Sequence, residues 1–213
     1  MSSTYVAGID EAGRGAVIGP LVICCALCNR RNEKRLRQLC KKDSKKLTPA
    51  QREKTLKELK EFCEFKWIEV SAADINKLME KMNLNDIEAL FMASLAKQIK
   101  SADIMIDMPD RYSRTFNSRM KKFGCERFEA EHKADEKYPI VAAASICAKV
   151  IRDEKIEKIK KELAVEFGSG YPGDDETRKA LRNKETRAKL TPVIRQKWKT
   201  LESIKQRKLF ESE

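Results

Sequence analysis

Apolar and polar positions change period several times along the chain, and each change marks an element. Residues 5–10 form a short apolar run that predicts a buried strand. Residues 17–28 form a longer run and predict a second strand, with Pro20 marking an edge or a bulge. The turn between them makes the pair a hairpin. Thr48 before Pro49 supplies an N-cap and a first-turn proline, predicting a helix to about Cys63. Residues 65–71 read as another strand. Leu84, Ile87, Phe91, Leu95 and Ile99 recur at three- and four-residue spacing and predict an amphipathic helix over 84–100. Residues 103–107 predict a brief strand ending at Asp107, just before Met108 and Pro109. A helix is expected over 111–123 and a last strand over 126–131. Pro139 opens a long helix to about Phe167, lined on one side by Ala144, Ala148, Ile151, Ile156, Ile159 and Leu163. Gly168-Ser-Gly-Tyr-Pro-Gly173 ends it. Two or three short basic helices then cover 175–207, the last opening at Thr191-Pro192. Strands first, helices last and an αβ alternation between them predict an α/β domain with a mixed sheet.

Composition narrows the partners. At 213 residues and 41% apolar, the chain can bury a proper core. The apolar run over 17–28 is too short to span a bilayer. The opening Met-Ser-Ser-Thr-Tyr lacks a basic region and a cleavage pattern, so no secretory signal is expected and the setting expected is cytoplasmic. The net charge of +12 is uneven: residues 178–208 hold twelve Lys and Arg against two Glu. A basic segment beside a nearly balanced body suggests a polyanion contact, although a solvated helical face carries the same charges. Seven cysteines without a secretory signal argue against a disulfide framework. Cys25 and Cys28 match a C-x-x-C spacing, but on a strand residues three apart point to opposite faces, and buried strand cysteines are the better reading.

The chemistry concentrates where apolar runs stop. Asp10 and Glu11 end the first strand and Gly13-Arg14-Gly15 follows at once. Carboxylates hold hard divalent cations, and a glycine-flanked arginine brings backbone N–H groups and a guanidinium to a phosphate. Asp107 ends a later strand and Asp135 lies just before the long helix. In an α/β sheet functional groups gather beyond strand ends. Carboxylates brought together there repel one another unless Mg²⁺ or Mn²⁺ neutralises them, and two such ions can run phosphodiester hydrolysis. Periodicity alone does not show that these four meet, and Asp103, Asp110, Glu131 and Asp153 are equally eligible on local grounds. Glu11 adds a condition: on a continuous strand it points away from Asp10, so both serve one site only if the chain bends there. His132, three residues before Asp135, reads as a structural hydrogen-bonding group.

Over nearly its full length the chain resembles ribonuclease HII. The resemblance rests on Gly8-Ile-Asp-Glu-Ala-Gly-Arg-Gly15 with Ile18-Gly-Pro20, Asp43-Ser-Lys-Lys-Leu47 and Ile106-Asp-Met-Pro-Asp110. It continues through Lys133-Ala-Asp-Glu-Lys-Tyr-Pro139, Ala142-Ala-Ala-Ser-Ile-Cys-Ala-Lys149 and Gly168-Ser-Gly-Tyr-Pro-Gly173. The Asp-Met-Pro-Asp and Lys-Ala-Asp-Glu-Lys-Tyr-Pro blocks, with Arg195-Gln-Lys-Trp-Lys-Thr200, are similar to the archaeal branch. The related ribonuclease HIII has a different glycine-rich turn without this arginine. The resemblance implies a ribonuclease H-like catalytic domain over 1–173 and a basic helical extension over 174–213 packed on it. It implies that Asp10, Glu11, Asp107 and Asp135 bind Mg²⁺ or Mn²⁺, two ions in the substrate complex. It also implies that Gly13, Arg14 and Gly15 contact the backbone around a ribonucleotide and that Tyr171 stacks on the sugar at the RNA–DNA junction. Ser44, Lys45, Lys46, Ser145 and Lys149 are expected to meet phosphates, and Arg152 to play a supporting role.

The implied activity is hydrolysis of RNA paired to DNA and cleavage 5′ of single ribonucleotides in duplex DNA, leaving 3′-hydroxyl and 5′-phosphate ends. The implied roles are ribonucleotide excision and primer removal, by a monomer with no membrane partner. Asp174-Asp175 departs from the Gly-Asp-Pro pattern expected after the tyrosine loop, which puts the loop geometry in question. The tail Gln206-Arg-Lys-Leu-Phe-Glu is a loose candidate for a replication-clamp peptide: it has the glutamine and Leu209-Phe210 but lacks a full aromatic pair. A non-catalytic nucleic-acid-binding module and a metal-dependent DNA nuclease are the competing classes.

Overall fold

The computed structural model describes residues 3–40 and 47–201. The chain divides into two compact units. The first comprises residues 1–12, 22–69 and 83–151, and the second residues 13–21, 70–82 and 152–213.

The first unit is built on a five-stranded mixed sheet. Strands β1 (Tyr5–Ala12) and β2 (Leu21–Asn29) form the expected antiparallel hairpin, in register from Tyr5↔Asn29 to Ala12↔Val22. The others are β3 (Cys63–Val70), β4 (Ala102–Asp107) and β5 (Glu129–Glu131). Their order across the sheet is β3-β2-β1-β4-β5, with β4 parallel to β1 and β5 parallel to β4. Ala7 and Ile9 are fully buried on one face of β1, and Gly8 and Asp10 are buried on the other. The long helix α7 (Pro139–Leu163) covers the second of these faces. A Cβ at Gly8 would lie 2.5 Å from the Ile140 carbonyl carbon and 2.6 Å from the Val141 nitrogen, so only glycine lets this helix start touch the sheet. Val22, Cys24, Ala26 and Cys28 of β2 meet Val141, Ala144, Cys147 and Ala148 of α7 in the core there. The remaining helices of the unit are α1 (Glu33–Leu39), α2 (Pro49–Leu59), α4 (Leu84–Ala96), α5 (Ser113–Lys122) and the single turn α6 (Ala134–Lys137).

The second unit holds α3 (Ala72–Leu78), α8 (Asp175–Arg182) and α9 (Lys184–Leu190), and Leu181 and Leu190 of the last two share a small core with Val17, Ile18, Ile156 and Phe167.

Several boundaries correct the sequence reading, each for a local reason. β2 starts at Leu21 instead of residue 17, because Gly19 adopts φ +90° and Ile18 pairs alone with Ile194. The Thr48 capping box with Gln51 forms as expected, but α2 ends at Leu59, since the next amides reach back three residues (Phe62 N to Leu59 O, 3.2 Å) and Cys63 already belongs to β3. The same tightening ends α4 at Ala96, where Ile99 donates to the Ala96 carbonyl at 3.0 Å. α7 stops at Leu163, before the glycines. Ala164 takes φ +49°, and Val165 and Ala164 donate to the carbonyls of Lys160 and Lys161, the paired bonds of a Schellman cap closed by alanine. β5 is confined to 129–131, and Thr191-Pro192 opens a 3₁₀ turn, Thr191–Val193, instead of a helix. Helices α1 and α3 carry no strong period and were not expected. All seven cysteines are free, and no helix among the described residues is long and apolar enough to cross a membrane.

Candidate active site

The parallel pairing of β1 and β4 runs from Tyr5↔Ala102 to Ile9↔Ile106. One residue further, the same offset sets Asp10 beside Asp107, each at the point where its strand leaves the ladder. Asp10 is 4% exposed. Its Oδ1 accepts the Glu11 N–H at 2.7 Å, and its side chain hydrogen-bonds the fully buried Ser145 of α7. Lys149, one helical turn on, donates to Ser145 Oγ at 2.8 Å. Burial, then the charge of Asp107, pushes the Asp10 carboxyl up from 3.8 to about 7, despite the opposing pull of Ser145, Lys149 and the Glu11 amide.

Asp107 Oδ1 accepts the Ala134 N–H at 2.8 Å, which fastens the first turn of α6 to the end of β4 and brings the next residue, Asp135, alongside. Asp135 is 6% exposed. Lys133, just before it, is forced to φ +56°. Behind this arrangement Arg119 of α5 joins Asp86 and the buried Asp110, meeting Asp110 Oδ2 at 2.9 Å, and so fixes the loop that follows Asp107. His132 has the structural role expected of it: its Nε2–H donates to the Arg111 carbonyl at 3.1 Å.

Glu11 follows Asp10 on β1, which stays paired with β2 through Ala12, with Glu11 opposite Ile23. Among the described residues no three His, Cys, Asp or Glu groups close into a cluster able to hold a metal on their own. The donor chemistry nonetheless fits a hard divalent cation: two adjacent carboxylates, one so poorly compensated that burial and its neighbour push it up to about 7, gain most from a bound positive charge.

The second unit carries the glycine turn and Tyr171. Gly13 has φ +89°, and a Cβ there would meet the Pro20 carbonyl oxygen at 2.5 Å and Arg152 Nε at 2.7 Å. The Gly13 N–H donates to the Tyr171 hydroxyl at 3.1 Å, so the structure brings these two expected substrate contacts together. Arg152 is 3% exposed; its guanidinium lies 4.4 Å from the Tyr171 ring centroid and donates to the Ser169 carbonyl at 2.8 Å. Burial lowers its pKa. Arg195, fully buried, donates to the carbonyls of Arg14 and Gly19, each at 3.0 Å. The Gly170 carbonyl accepts the amides of Val17 and Ile18 at 2.8 and 3.1 Å. Arg14 is half-buried and Gly15 is exposed, with nothing near its missing Cβ.

The tyrosine loop is held by Asp174 in the absence of the expected proline. Asp174 caps α8 through the Glu176 amide and accepts both the amide and the hydroxyl of Ser169 at 2.6 Å, and these bonds hold its carboxyl below the usual range. Asp175 sits at the first helical position, where an amide lacks an intrahelical partner anyway and an acidic side chain suits the helix dipole.

Other expectations divide. Ser145 has no exposed surface, and its hydroxyl bonds Asp10 and Lys149. Lys149 is half-buried. Ser44, Lys45 and Lys46 lie outside the described residues, as does the tail from Gln206. Arg182, Lys184 and Lys189 are exposed and Arg187 is half-buried. The sequence reading missed Arg195, whose only signal was its place in a block resembling a family, and the Arg119 brace, which has none.

The family model described as Ribonuclease HII matches residues 7–201. The chain is 39% identical to ribonuclease HII of Archaeoglobus fulgidus over 203 residues, covering 95% of this chain and 98% of that one. It is 43% identical to ribonuclease HII of Pyrococcus abyssi over 208 residues, covering 95% and 92%. Among solved structures, the PCNA:RNase HII complex of Archaeoglobus fulgidus aligns with a TM-score of 0.82 at 39% identity, covering 90% of this chain and 94% of that chain. The ribonuclease H2 of Pyrococcus horikoshii OT3 aligns at 0.81 and 42% identity, covering 95% and 98%. A Bst-RNase HIII solved with Mn²⁺ shares the fold at 21% identity, with a TM-score of 0.78 over 95% of this chain and 70% of that one.

Proposed function

The chain belongs to the ribonuclease HII family, and from that premise we propose that it cuts duplex DNA on the 5′ side of single embedded ribonucleotides, leaving a 3′-hydroxyl and a 5′-phosphate. The family itself makes the chain a metal-dependent endoribonuclease that acts on RNA paired to DNA. The observation that carries the finer reading is the pair of carboxylates, Asp10 and Asp107, set side by side where the parallel β1–β4 ladder ends.

Asp10, Asp107, Asp135 and Glu11 would hold two ions of Mg²⁺ or Mn²⁺, and the Mn²⁺ of the solved Bst-RNase HIII supports the choice of metal. When bound, such ions supply an activated water and a stabilised leaving oxygen. Mg²⁺ is commonly held by one or two carboxylates together with substrate phosphates. That habit suits a site whose carboxylates do not close into a cage unaided, and it joins metal capture and substrate binding in one step. Lys149 and Ser145 hold Asp10 in its orientation. Gly13, Arg14 and Gly15 offer amides and a guanidinium to the ribonucleotide, whose 2′-hydroxyl distinguishes it from DNA. The Tyr171 ring, backed by Arg152, takes the sugar at the junction. Ser44, Lys45, Lys46 and Lys149 meet phosphates, and the basic extension tracks the duplex backbone. The biological roles are ribonucleotide excision and primer removal. The relative solved with PCNA makes a sliding clamp a candidate partner, reached through the tail at Gln206 to Phe210, and the enzyme itself works as a monomer.

A labelled duplex with one ribonucleotide tests this reading, incubated with and without Mg²⁺ beside an all-DNA duplex. The expected result is one metal-dependent cut 5′ of the ribonucleotide and an intact DNA control. Cleavage of the control, or no cleavage of the ribonucleotide duplex when a long hybrid is cut, overturns it.

A further inference from the structure

The first unit carries a basic, aromatic edge that the carboxylate chemistry does not use. Past Asp107 the chain turns through Met108 and Pro109 and enters α5. Tyr112, at the turn, is 61% exposed, more than Tyr5 or Trp67, the other exposed large hydrophobic side chains among the described residues. The Arg111 guanidinium lies 5.4 Å from its ring centroid. Residues 111–122 hold five Arg and Lys and no Asp or Glu. Arg119 is neutralised by Asp86 and Asp110, and Lys121 approaches Glu126 at 3.7 Å. Arg111 and Arg114 are exposed and have no acidic partner among the described residues.

The backbone that presents Tyr112 is fixed to the segments that carry the catalytic carboxylates. His132 holds the Arg111 carbonyl, the Met108 N–H donates to the Glu131 carbonyl at 3.0 Å, and the Ala134 N–H holds Asp107. Residues 107–112 and 131–135 are therefore tied to each other by three hydrogen bonds. Tyr112 is also a poor choice for stability. It occupies the N-cap position of α5 and makes no side-chain cap, where Ser, Thr, Asp or Asn would satisfy an amide. It gives up the cap without burying its ring. An isolated exposed aromatic is ordinary. An exposed aromatic at a helix cap, with an arginine 5.4 Å from its ring and its backbone tied to the segments that carry Asp107 and Asp135, breaks several local preferences at once, which is where functional groups are found.

We propose that Arg111 and Tyr112 form a contact with the nucleic-acid backbone flanking the scissile phosphate, the ring against a sugar and the guanidinium on a phosphate, with Arg114 adding to the field. This rests on the reading of the chain as a nuclease for RNA-containing duplexes. Charge complementarity with a polyanion selects that partner, and the aromatic selects one with flat or hydrophobic faces between its charges.

The test uses the full chain with Tyr112→Ala, Tyr112→Phe, Tyr112→Asn and Arg111→Gln. Hybrid binding is measured without Mg²⁺ at several salt concentrations, and cleavage with it. Tyr112→Ala and Arg111→Gln should raise KM about 5–10-fold, the lower end of what a stacked aromatic supplies, with kcat unchanged. Arg111→Gln should also flatten the slope of log K against log salt by about 0.9. Tyr112→Phe should bind as wild type does. Tyr112→Asn should raise the melting temperature by restoring a cap while weakening binding, a divergence that a purely structural tyrosine would not produce. Unchanged KM and salt slope in Tyr112→Ala and Arg111→Gln overturn the contact, provided wild type cleaves the hybrid. A wild type that cleaves no hybrid overturns the nuclease reading itself.

Discussion

Asp10 and Tyr171 are both largely enclosed polar side chains singled out by motif, and their surroundings differ in kind. Around Asp10 the interactions conflict. Burial and Asp107 work against its charge, and Ser145, Lys149 and one amide only partly offset them. Around Tyr171 the interactions agree. Arg152 lies over the ring, the hydroxyl takes the Gly13 amide, and Arg195, Thr177 and Asp174 satisfy the neighbouring backbone. A site that must capture cations gains from carboxylates that are uncomfortable alone. A site that must discriminate one sugar from another gains from a surface already fixed before the substrate arrives. On the proposed function the two regions divide the labour, one storing electrostatic tension and the other rigidity.

The sharpest way to break this contrast is Asp10→Asn. Turnover on a hybrid should fall by ~10²–10³-fold or more, the scale of losing a group that stabilises developing charge, while the folded variant still binds the duplex. Stability should move the other way. A carboxyl raised from 3.8 to about 7 in the folded protein binds its proton more tightly there than in the unfolded chain. The metal-free protein should therefore lose stability as pH rises from about 4 to about 7, with the full loss present above that, each pKa unit being worth ~1.4 kcal/mol. Asp10→Asn should abolish that trend and melt higher than wild type at pH 8 without metal, and saturating Mg²⁺ should narrow the gap. Near-normal turnover, or a metal-free wild type whose stability does not fall across this window, would show that the tension does not exist.

The rigid side is probed next. Tyr171→Ala should reduce kcat/KM on a single embedded ribonucleotide by roughly 10-fold, within the range for a stacked aromatic, and reduce it less on a long hybrid. Tyr171→Phe keeps the ring under Arg152 but removes the partner of the Gly13 amide, and should cost ~0.5–1.5 kcal/mol of stability. If Tyr171→Ala cuts the single-ribonucleotide duplex as well as wild type does, the turn is a structural corner and not a reader of sugars.

These regions were not equally legible in the chain. Asp10 and Asp107 stand where apolar runs stop, and strand ends are visible in a linear pattern. Their meeting depends on a register offset between strands nearly a hundred residues apart, which no local period encodes. Glu11 illustrates the converse, since simple alternation already raised a geometric condition on it, and β1 stays paired with β2 through Ala12. On the rigid side, Gly13 and the glycine-rich loop announced a turn. Arg195 did not, because it is one fully buried arginine inside a segment whose other basic residues look the same in sequence. The Schellman cap at Ala164 was hidden because an alanine took the place usually given to glycine.

A smaller effect is expected from the exposed charges of the second unit. Replacing Arg182, Lys184, Arg187 and Lys189 with glutamine leaves the carboxylates and the tyrosine turn untouched. If these residues meet phosphates, hybrid binding should weaken and the slope of log K against log salt should flatten by about 0.9 for each phosphate no longer neutralised. Turnover at saturating substrate should survive. Lys189 already has Glu185 at 3.5 Å, so the four side chains should neutralise fewer than four phosphates. Identical affinity and slope would assign the cluster to solvent.

The smallest structural change gives the finest test of the comparison. Gly13 and Gly15 flank the same arginine, yet their surroundings are opposite. Gly13 has φ +89° and backbone and side-chain atoms within 2.8 Å of any added Cβ, so Gly13→Ala distorts the turn whatever the substrate does. Gly15 has open space around it and no left-handed φ. Gly15→Ala should therefore fold as wild type does, with a gain of ~0.4–1 kcal/mol from the stiffer unfolded chain. Any drop in cleavage by that variant must then come from the one thing the free protein does not contain, a substrate backbone drawn close at position 15. A rise in melting temperature with a several-fold increase in KM is the expected outcome, read by thermal unfolding and steady-state cleavage of the single-ribonucleotide duplex. Full activity in a stabilised Gly15→Ala protein would confine recognition to Gly13, Arg14 and Tyr171, and would mean that the second glycine serves only to let the turn pass.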